Sequence, residues 1–151
     1  MPASMFAMTV DPSGRTLRGA ARPVPLAAEH DVLVRVLACG VCRTDLHIID
    51  GDLPPHRASV VPGHEVVGQV FACGPQAGRF ALGQRIGIPW LGQTCGVCPF
   101  CAIKRGNLCD QPMFTGYDRD GGFAEYAAAD VQRTYTNTEA TCEMSKPPGA
   151  G

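Results

Sequence analysis

Four cysteines within fifteen residues constrain this chain more than any other feature of its sequence. They are Cys95, Cys98, Cys101 and Cys109, in the spacing C-x2-C-x2-C-x7-C. Thiolates at such intervals close tetrahedrally around a metal ion, with Zn–S bonds of about 2.3 Å. Four sulfur ligands leave no open coordination position, so the pattern predicts a structural zinc ion that holds the loop together.

Other uses of clustered thiols fit the sequence less well. A ferredoxin-type iron–sulfur site has the pattern C-x2-C-x2-C-x3-C-P, whereas here the last gap is seven residues and Asp110 follows Cys109. Disulfides need an oxidising compartment, for which nothing in the sequence argues. Four unligated thiols remain as an alternative, which clustering at metal spacing disfavours. Lys104 and Arg105 lie inside the loop, where we expect them to offset the charge of the thiolates.

The whole chain predicts a mainly β (β-rich α+β) fold with many turns. Its 18 Gly and 13 Pro residues make up about a fifth of the chain, against about 12% in typical globular proteins. Only residues 42–50 predict a helix, with Thr44 and Asp45 as possible capping residues. From Val131 the apolar periodicity is lost, which predicts an irregular tail over 131–151. Turn-bounded apolar runs, typical of the strands of a barrel or sandwich, cover residues 5–10, 31–41, 64–74, 84–90 and 122–129.

Charge and hydropathy argue against two classes of partner. The formal net charge is −1, and the Lys and Arg residues are scattered singly, so the basic stripe of a nucleic-acid-binding protein is missing. No run approaches the ~20 apolar residues that a membrane-spanning helix requires. The N-terminal sequence has no secretion signal, which predicts a cytoplasmic protein.

Residues 38–68 supply a second set of groups suited to metal binding and proton transfer. Cys42 and His64, at predicted strand ends, could share a zinc ion, although two ligands are too few for a stable site. Each residue of this second set can also be explained without a metal, for example as a buried thiol or a surface charge. His30 and His56 have only that ordinary interpretation. The full set is Cys42, Thr44, Asp45, His47, His64 and Glu65.

Cys39 and Cys42 also form a C-x-x-C pair, which a redox sensor would use. That motif belongs at a helix N-terminus in a βαβ setting, and the sequence predicts no such alternation.

Taken together and in this order, the motifs closely resemble the N-terminal catalytic domain of the zinc-dependent medium-chain alcohol dehydrogenases. The resemblance is carried by GVCRTDLH (40–47), PGHEVVGQV (62–70), GQRIGI (83–88), the four-cysteine segment and GGFAEYAAAD (121–130). It implies a GroES-like, partly open β-barrel with short helices over residues 1–130, including a structural zinc lobe at 94–110. It also implies a small-molecule alcohol or aldehyde substrate, NAD(P) as cofactor and, for the full-length family, a homo-oligomer.

The resemblance assigns the metal-binding groups residue by residue. Cys42 and His64 correspond to two of the three protein ligands of a catalytic zinc ion. Glu65 corresponds to a residue beside that ion, either in contact with its ligands or as an exchangeable ligand. Asp45 corresponds to the carboxylate that orients the metal-bound imidazole through its ring N–H.

Three further residues correspond to parts of the family's reaction site. Thr44 resembles the hydroxyl that takes the proton of the alcohol. His47 resembles the imidazole that passes this proton to solvent through the cofactor ribose, a task that suits histidine because an imidazole can both accept and release a proton. Trp90 stands where the family has an aromatic wall of the substrate pocket.

Two parts of the family pattern are missing from the sequence. The third catalytic ligand, usually a cysteine about two dozen residues beyond the FAEYA strand, has no counterpart, and Cys142 lies too close to Asp130 to fill its place. No G-x-G-x-x-G fingerprint of a Rossmann domain occurs. We therefore expect a truncated catalytic-domain portion that binds about one zinc ion tightly and shows little NAD(P)-dependent alcohol oxidation. The alternative is a zinc-stabilised binding module without chemistry.

Overall fold

An antiparallel sheet of five strands forms the centre of the fold, and two two-stranded sheets accompany it. The computed structural model describes residues 2–11, 15–54 and 56–136. In these ranges the helices are α1 (Arg43–Asp50) and α2 (Pro99–Ala102), with a 3₁₀ turn at Gly106–Leu108. The mainly β fold predicted from the sequence is confirmed. The strands are β1 (Ser4–Asp11), β2 (Thr16–Pro23), β3 (Asp31–Gly40), β4 (Glu65–Cys73), β5 (Arg85–Ile88), β6 (Leu91–Gln93), β7 (Met113–Phe114), β8 (Tyr126–Asp130) and β9 (Tyr135–Thr136).

The central sheet has the strand order β8-β3-β4-β5-β9. The pairs β1-β2 and β6-β7 form the two smaller sheets, and the four-cysteine segment lies between β6 and β7. Every pairing is antiparallel, and β3 shifts register against β4 at two irregular points. Such irregularities are typical of β-bulges, and one of them lies between Val36 and Ala38, near the end of β3.

The first four residues of β3 are buried, so this end of the strand is covered on both faces and lies between two core clusters. Val32 and Val34 point into a cluster built from β3, β4, β5 and β8. Leu33 lies between them in the sequence and points to the opposite face, where Met5 and Val61 pack against it. Successive strand residues face opposite sides, so a strand covered on both sides reads as a continuous apolar run. Full burial of each such side chain stabilises the fold by about 1.5–3 kcal/mol.

Helix α1 begins three residues after the end of β3, and a cysteine caps its N-terminus. The Cys42 sulfur accepts a hydrogen bond from the Thr44 N–H at 3.2 Å. In return the Asp45 carboxylate accepts one from the Cys42 N–H at 2.9 Å, which completes a capping box. Gly51 ends the helix with a φ of +78°, a conformation that glycine adopts without strain. The predicted helix is confirmed, with Asp45 in the cap, but the capping position itself belongs to Cys42 rather than Thr44.

Residues 131–136 pack onto the core, which corrects the start of the predicted irregular tail. Val131 is buried in the larger cluster, and the buried Thr134 hydroxyl donates to its carbonyl at 3.1 Å. Tyr135–Thr136 then pair with the edge of β5. A segment this short owes its strand conformation to its partner, so its own sequence carries no periodic signal. Residues 137–151, including Cys142, lie outside the described ranges.

Three other strands were not predicted from the sequence, namely the eight-residue β2 and the short β6 and β7. Strand β2 is exposed along most of its length, so it lacks the apolar alternation that marks a half-buried strand. Conversely, residues 122–125 of the predicted last strand are irregular, and β8 begins only at Tyr126. No helix in the described part of the chain is long and apolar enough to cross a membrane.

Candidate metal centres

The four cysteines of the zinc lobe converge although they lie on different local elements. Their sulfur atoms all lie within 4.8 Å of one another. The Cys95 and Cys109 sulfurs are 3.5 Å apart, close to the separation that two ligands of one tetrahedral zinc ion require. Gly96, with a φ of +76°, turns the backbone between the first two ligands. The donor set and its spacing fit a zinc ion with a closed sulfur shell.

Backbone N–H groups point at these sulfurs and prepare them to bind a metal. Hydrogen bonds from the N–H groups of Asp110 and Cys101 lower the pKa of the Cys98 thiol to about 6. The Cys95 N–H lowers the pKa of the Cys109 thiol in the same way. Burial raises the pKa of the Cys101 thiol to about 11. Since zinc binds the thiolate, the ion must displace a proton from Cys101, whereas Cys98 is already ionised near neutral pH.

The two cations inside the lobe do not contact its sulfurs. Lys104 and Arg105 are exposed, and the hydrogen bonds of the described residues include none from either side chain to a cysteine. Lys104 has a φ of +61°, so its backbone helps to turn the loop after α2. Their expected charge-balancing role therefore has no contact to support it.

A second cluster forms where α1 meets the start of β4. Cys42 caps α1, while His64 and Glu65 stand at the entrance to β4. The Cys42 Sγ and His64 Nε2 atoms are 3.1 Å apart. One carboxylate oxygen of Glu65 lies within 4.8 Å of both. A thiol, an imidazole and a carboxylate at these separations fit a zinc ion, and three protein ligands leave a fourth position open.

Asp45 joins the two segments that supply this cluster. Its side chain is completely buried. One carboxylate oxygen accepts from the Cys42 N–H at 2.9 Å, and the other accepts from the Gly63 N–H at 3.0 Å. The second oxygen also lies 3.2 Å from His64 Nδ1, where ring N–H and oxygen are too poorly aligned for a hydrogen bond, so this contact is electrostatic. Asp45 thus holds both ligand-bearing segments and favours the imidazole tautomer with its proton on Nδ1 and its Nε2 facing Cys42.

Gly63 makes this close approach possible. Its φ is +95°, and a Cβ on it would stand 2.6 Å from the Phe123 ring and 2.8 Å from the Cys39 sulfur. The Cys39 thiol is packed inside this junction, and burial raises its pKa to about 11. A thiol that is neutral at physiological pH is a poor redox sensor, which argues against the C-x-x-C alternative for Cys39 and Cys42.

Thr44 and His47 lie on α1 at the margin of the second cluster. The Thr44 backbone N–H donates to the Cys42 sulfur, which places this residue next to the proposed ligand. His47 is one turn further along the helix and outside the metal cluster. Its Nδ1 lies 2.9 Å from a carboxylate oxygen of Asp52, and its side chain is partly exposed.

Trp90 forms an aromatic wall beside His64. The two rings meet edge to face at 4.8 Å between centroids. The other contacts of the indole are a stacked Phe114 ring at 4.7 Å and Tyr117 at 6.3 Å. An open depression of about 460 Å³ runs from His64 and Glu65 past Trp90 to Tyr135. The sequence analysis missed Phe114, Tyr117 and Tyr135, since only the fold brings them to this region.

Comparison with known proteins identifies the fold. The family model described as "Alcohol dehydrogenase GroES-like domain" matches residues 28–138. The chain belongs to this family. The predicted GroES-like fold and kinship with alcohol dehydrogenases are therefore confirmed. The match continues past residue 130, where the sequence analysis placed the end of the domain.

Curated relatives and solved structures agree with this assignment. "Probable alcohol dehydrogenase AdhA" of Mycobacterium tuberculosis (strain CDC 1551 / Oshkosh) is 54% identical over 108 residues, which are 68% of this chain and 31% of that protein. An alcohol dehydrogenase of Geobacillus stearothermophilus is 46% identical over 109 residues, covering 70% and 32%. A thermostable alcohol dehydrogenase from Pyrobaculum aerophilum, solved with cobalt and zinc bound, has the same fold, with a TM-score of 0.81 at 24% identity over 88% of this chain and 41% of that one. The chain thus spans about a third of the length of the curated relatives it matches.

Proposed function

We propose that this chain forms the zinc- and substrate-binding part of an alcohol dehydrogenase that oxidises an alcohol to an aldehyde or ketone with NAD(P). The observation that carries the proposal is the 3.1 Å approach of Cys42 Sγ to His64 Nε2, with the His64 ring against Trp90 at the edge of an open depression. Membership of the alcohol dehydrogenase GroES-like family supports it. NAD(P), the substrate class and a cytoplasmic location come from the family resemblance and the sequence.

Cys42, His64 and Glu65 would hold the ion. Zinc bound here would act as a Lewis acid that lowers the pKa of an alcohol, so that hydride transfer to nicotinamide becomes possible near neutral pH. Glu65 is the exposed member of the three and is the one free to leave when a substrate oxygen approaches. Asp45 keeps the His64 proton on Nδ1, so that Nε2 stays available as a ligand.

The proton of the alcohol leaves along α1. Thr44 stands next to Cys42, where its hydroxyl oxygen accepts that proton and passes its own onward. His47 receives it one turn along the helix, at the surface, and we assign it the contact with the cofactor ribose. The Asp52 carboxylate, 2.9 Å from His47 Nδ1, holds the ring at this end of the helix and leaves Nε2 as the nitrogen that would exchange the proton. Trp90 limits the size of the alcohol that reaches the pocket.

The competing function is a zinc-stabilised binding module without chemistry. Such a module needs the four-cysteine lobe but gains nothing from an open metal site. The two proposals therefore differ in whether the Cys42–His64 cluster binds a metal that can take an external ligand.

Cobalt(II) substitution tests this difference, since its visible bands report on coordination. We expect cobalt to occupy two spectroscopically distinct sites, the weaker of which disappears in Cys42→Ser. Titration with imidazole or a primary alcohol should alter only the bands of that weaker site. Cys73→Ser, which changes an exposed thiol outside both clusters, serves as the matched control. If the bands of the weaker site do not respond to imidazole or alcohol, or if they remain in Cys42→Ser, the binding module is favoured.

Zinc content and turnover test the incomplete character of the site. We propose that this chain alone retains about one zinc ion on dialysis, at the four-cysteine lobe, and shows little alcohol-dependent NAD(P) reduction. Metal analysis that finds two tightly held ions would contradict this, as would measurable turnover with ethanol and NAD.

A further inference from the structure

Arg133 reaches the zinc lobe from the segment between β8 and β9. Its Nη2 donates a hydrogen bond to the Thr94 hydroxyl oxygen at 2.7 Å, one residue before the first cysteine. The same guanidinium covers Gly106, since a Cβ on that glycine would stand 2.8 Å from Nη2 and 2.9 Å from Nη1. Arg133 therefore contacts the loop both before its first cysteine and shortly before Cys109.

Among the described residues, no carboxylate lies within ion-pair distance of this guanidinium. None of the ion pairs among the described residues includes Arg133, although its Nε atom is buried and lacks a hydrogen-bond partner. Arg133 is partly buried, and a guanidinium whose Nε atom is shielded from water is stabilised by an anionic neighbour. Four thiolates around one Zn²⁺ carry a net charge of −2 and supply it.

Thr94 provides a direct link from Arg133 to the metal ligands. The hydroxyl oxygen of Thr94 accepts a hydrogen bond from Arg133. The hydroxyl also has one hydrogen of its own, which it can donate to another acceptor. The neighbouring sulfur of Cys101 interacts with the Thr94 side chain. With its oxygen occupied as an acceptor, Thr94 keeps its O–H available to donate to a lobe sulfur.

We propose that Arg133 is the charge-balancing and positioning residue of the four-cysteine zinc site, acting on the sulfurs through its field and through Thr94. Lys104 and Arg105, although inside the loop, are exposed and do not take this role. The proposal rests on the structural zinc ion alone, so it stands or falls independently of alcohol oxidation at Cys42 and His64.

Zinc affinity of the whole chain, measured by competition with a chromophoric chelator, tests the proposal. Arg133→Gln should raise the zinc dissociation constant of the lobe about tenfold or more, as losses of partners around metal ligands commonly do. Neutralising both exposed cations, in Lys104→Gln/Arg105→Gln, should change it by less than about threefold, because exposed charges are screened. An unchanged affinity in Arg133→Gln, or an equal loss in the double variant, would overturn the proposal.

Cobalt spectra separate this role from simple mechanical support. Loss of the positive charge makes the thiolates easier to oxidise, so the sulfur-to-cobalt charge-transfer band of Arg133→Gln should move to longer wavelength. Arg133→Lys keeps the charge and should leave the band in place. In a double-mutant cycle with Thr94→Val, the effects on affinity should be non-additive. If Arg133→Gln weakens binding with no band shift and no coupling to Thr94, Arg133 only braces the loop and the proposal is wrong.

Discussion

Asp45→Asn tests how the two ligand-bearing segments of the second cluster are held together. Asp45 is completely buried, and its two oxygens accept from different backbone donors, the N–H groups of Cys42 and Gly63. An asparagine of the same shape has one acceptor oxygen, and its NH₂ group would face the other donor. One buried N–H therefore loses its partner in either orientation of the amide.

The size of the effect follows from these contacts. A hydrogen bond to a charged group contributes about 1.5–3 kcal/mol, and a buried donor left unpaired costs about 1–3 kcal/mol. The two figures partly describe the same lost interaction, so they cannot be added in full. We expect Asp45→Asn to lower the free energy of unfolding by about 2–4 kcal/mol. In a chain of this length, that loss corresponds to a fall in Tm of roughly 6–12 °C.

Trp90 provides the assay, since it is the only tryptophan in the sequence and its ring touches that of His64. Urea unfolding followed by its fluorescence, with the second cluster kept free of metal, gives the free energy of unfolding. Asp50→Asn, an exposed position on the same helix, is the matched control and should change stability by less than about 0.5 kcal/mol. If Asp45→Asn were as stable as this control, the carboxylate would not be what joins the two segments.

Three other outcomes follow from the structure. Gly63→Ala should destabilise the chain by about 2 kcal/mol or more, because the position has a φ of +95° and no room for a Cβ; Gly78→Ala, in open space, should have little effect in the same urea assay, and equal losses would refute the reasoning. In metal-free protein the pKa of Cys98, about 6, keeps it mostly ionised at pH 6.5, so its alkylation rate, followed by mass spectrometry, should fall less than about twofold between pH 8 and 6.5, against about twentyfold for an ordinary thiol; a fall like that of a free cysteine peptide would contradict this. Chelation of the lobe metal should speed tryptic cleavage after the exposed Lys104 and Arg105, and an unchanged rate on gels would show that the ion does not order the loop.

Prediction from the sequence worked best where the signal is local. The cysteine spacing of 95–109 predicts the sulfur cluster that the structure contains. Likewise, the helix at 42–50 was predicted from a short run and its flanking residues. The apolar runs of β1, β3, β4 and β5 identified strands because burial of one or both faces of a strand requires apolar residues at alternate or successive positions of the sequence.

Prediction failed where a partner distant in the sequence decides the structure. Strand β9 exists because β5 offers it an edge, and the buried Thr134 before it would suit a loop equally well. The local sequence likewise gives no signal that Tyr135 lines the depression beside His64 or that Arg133 contacts the zinc lobe.

The sequence by itself therefore determined the chemistry available to this protein: a four-thiolate set closed by its own short loop, and a second supply of thiol, imidazole and carboxylate. Only the tertiary structure decided how the second supply is used. Cys42 and His64 are brought within 3.1 Å by one buried carboxylate that bonds to both of their segments. The physical reason is the entropy of loop closure. Ligands a few residues apart are already close, whereas ligands far apart in the chain come together only when the packing of the core offsets the entropy lost in closing the loop between them.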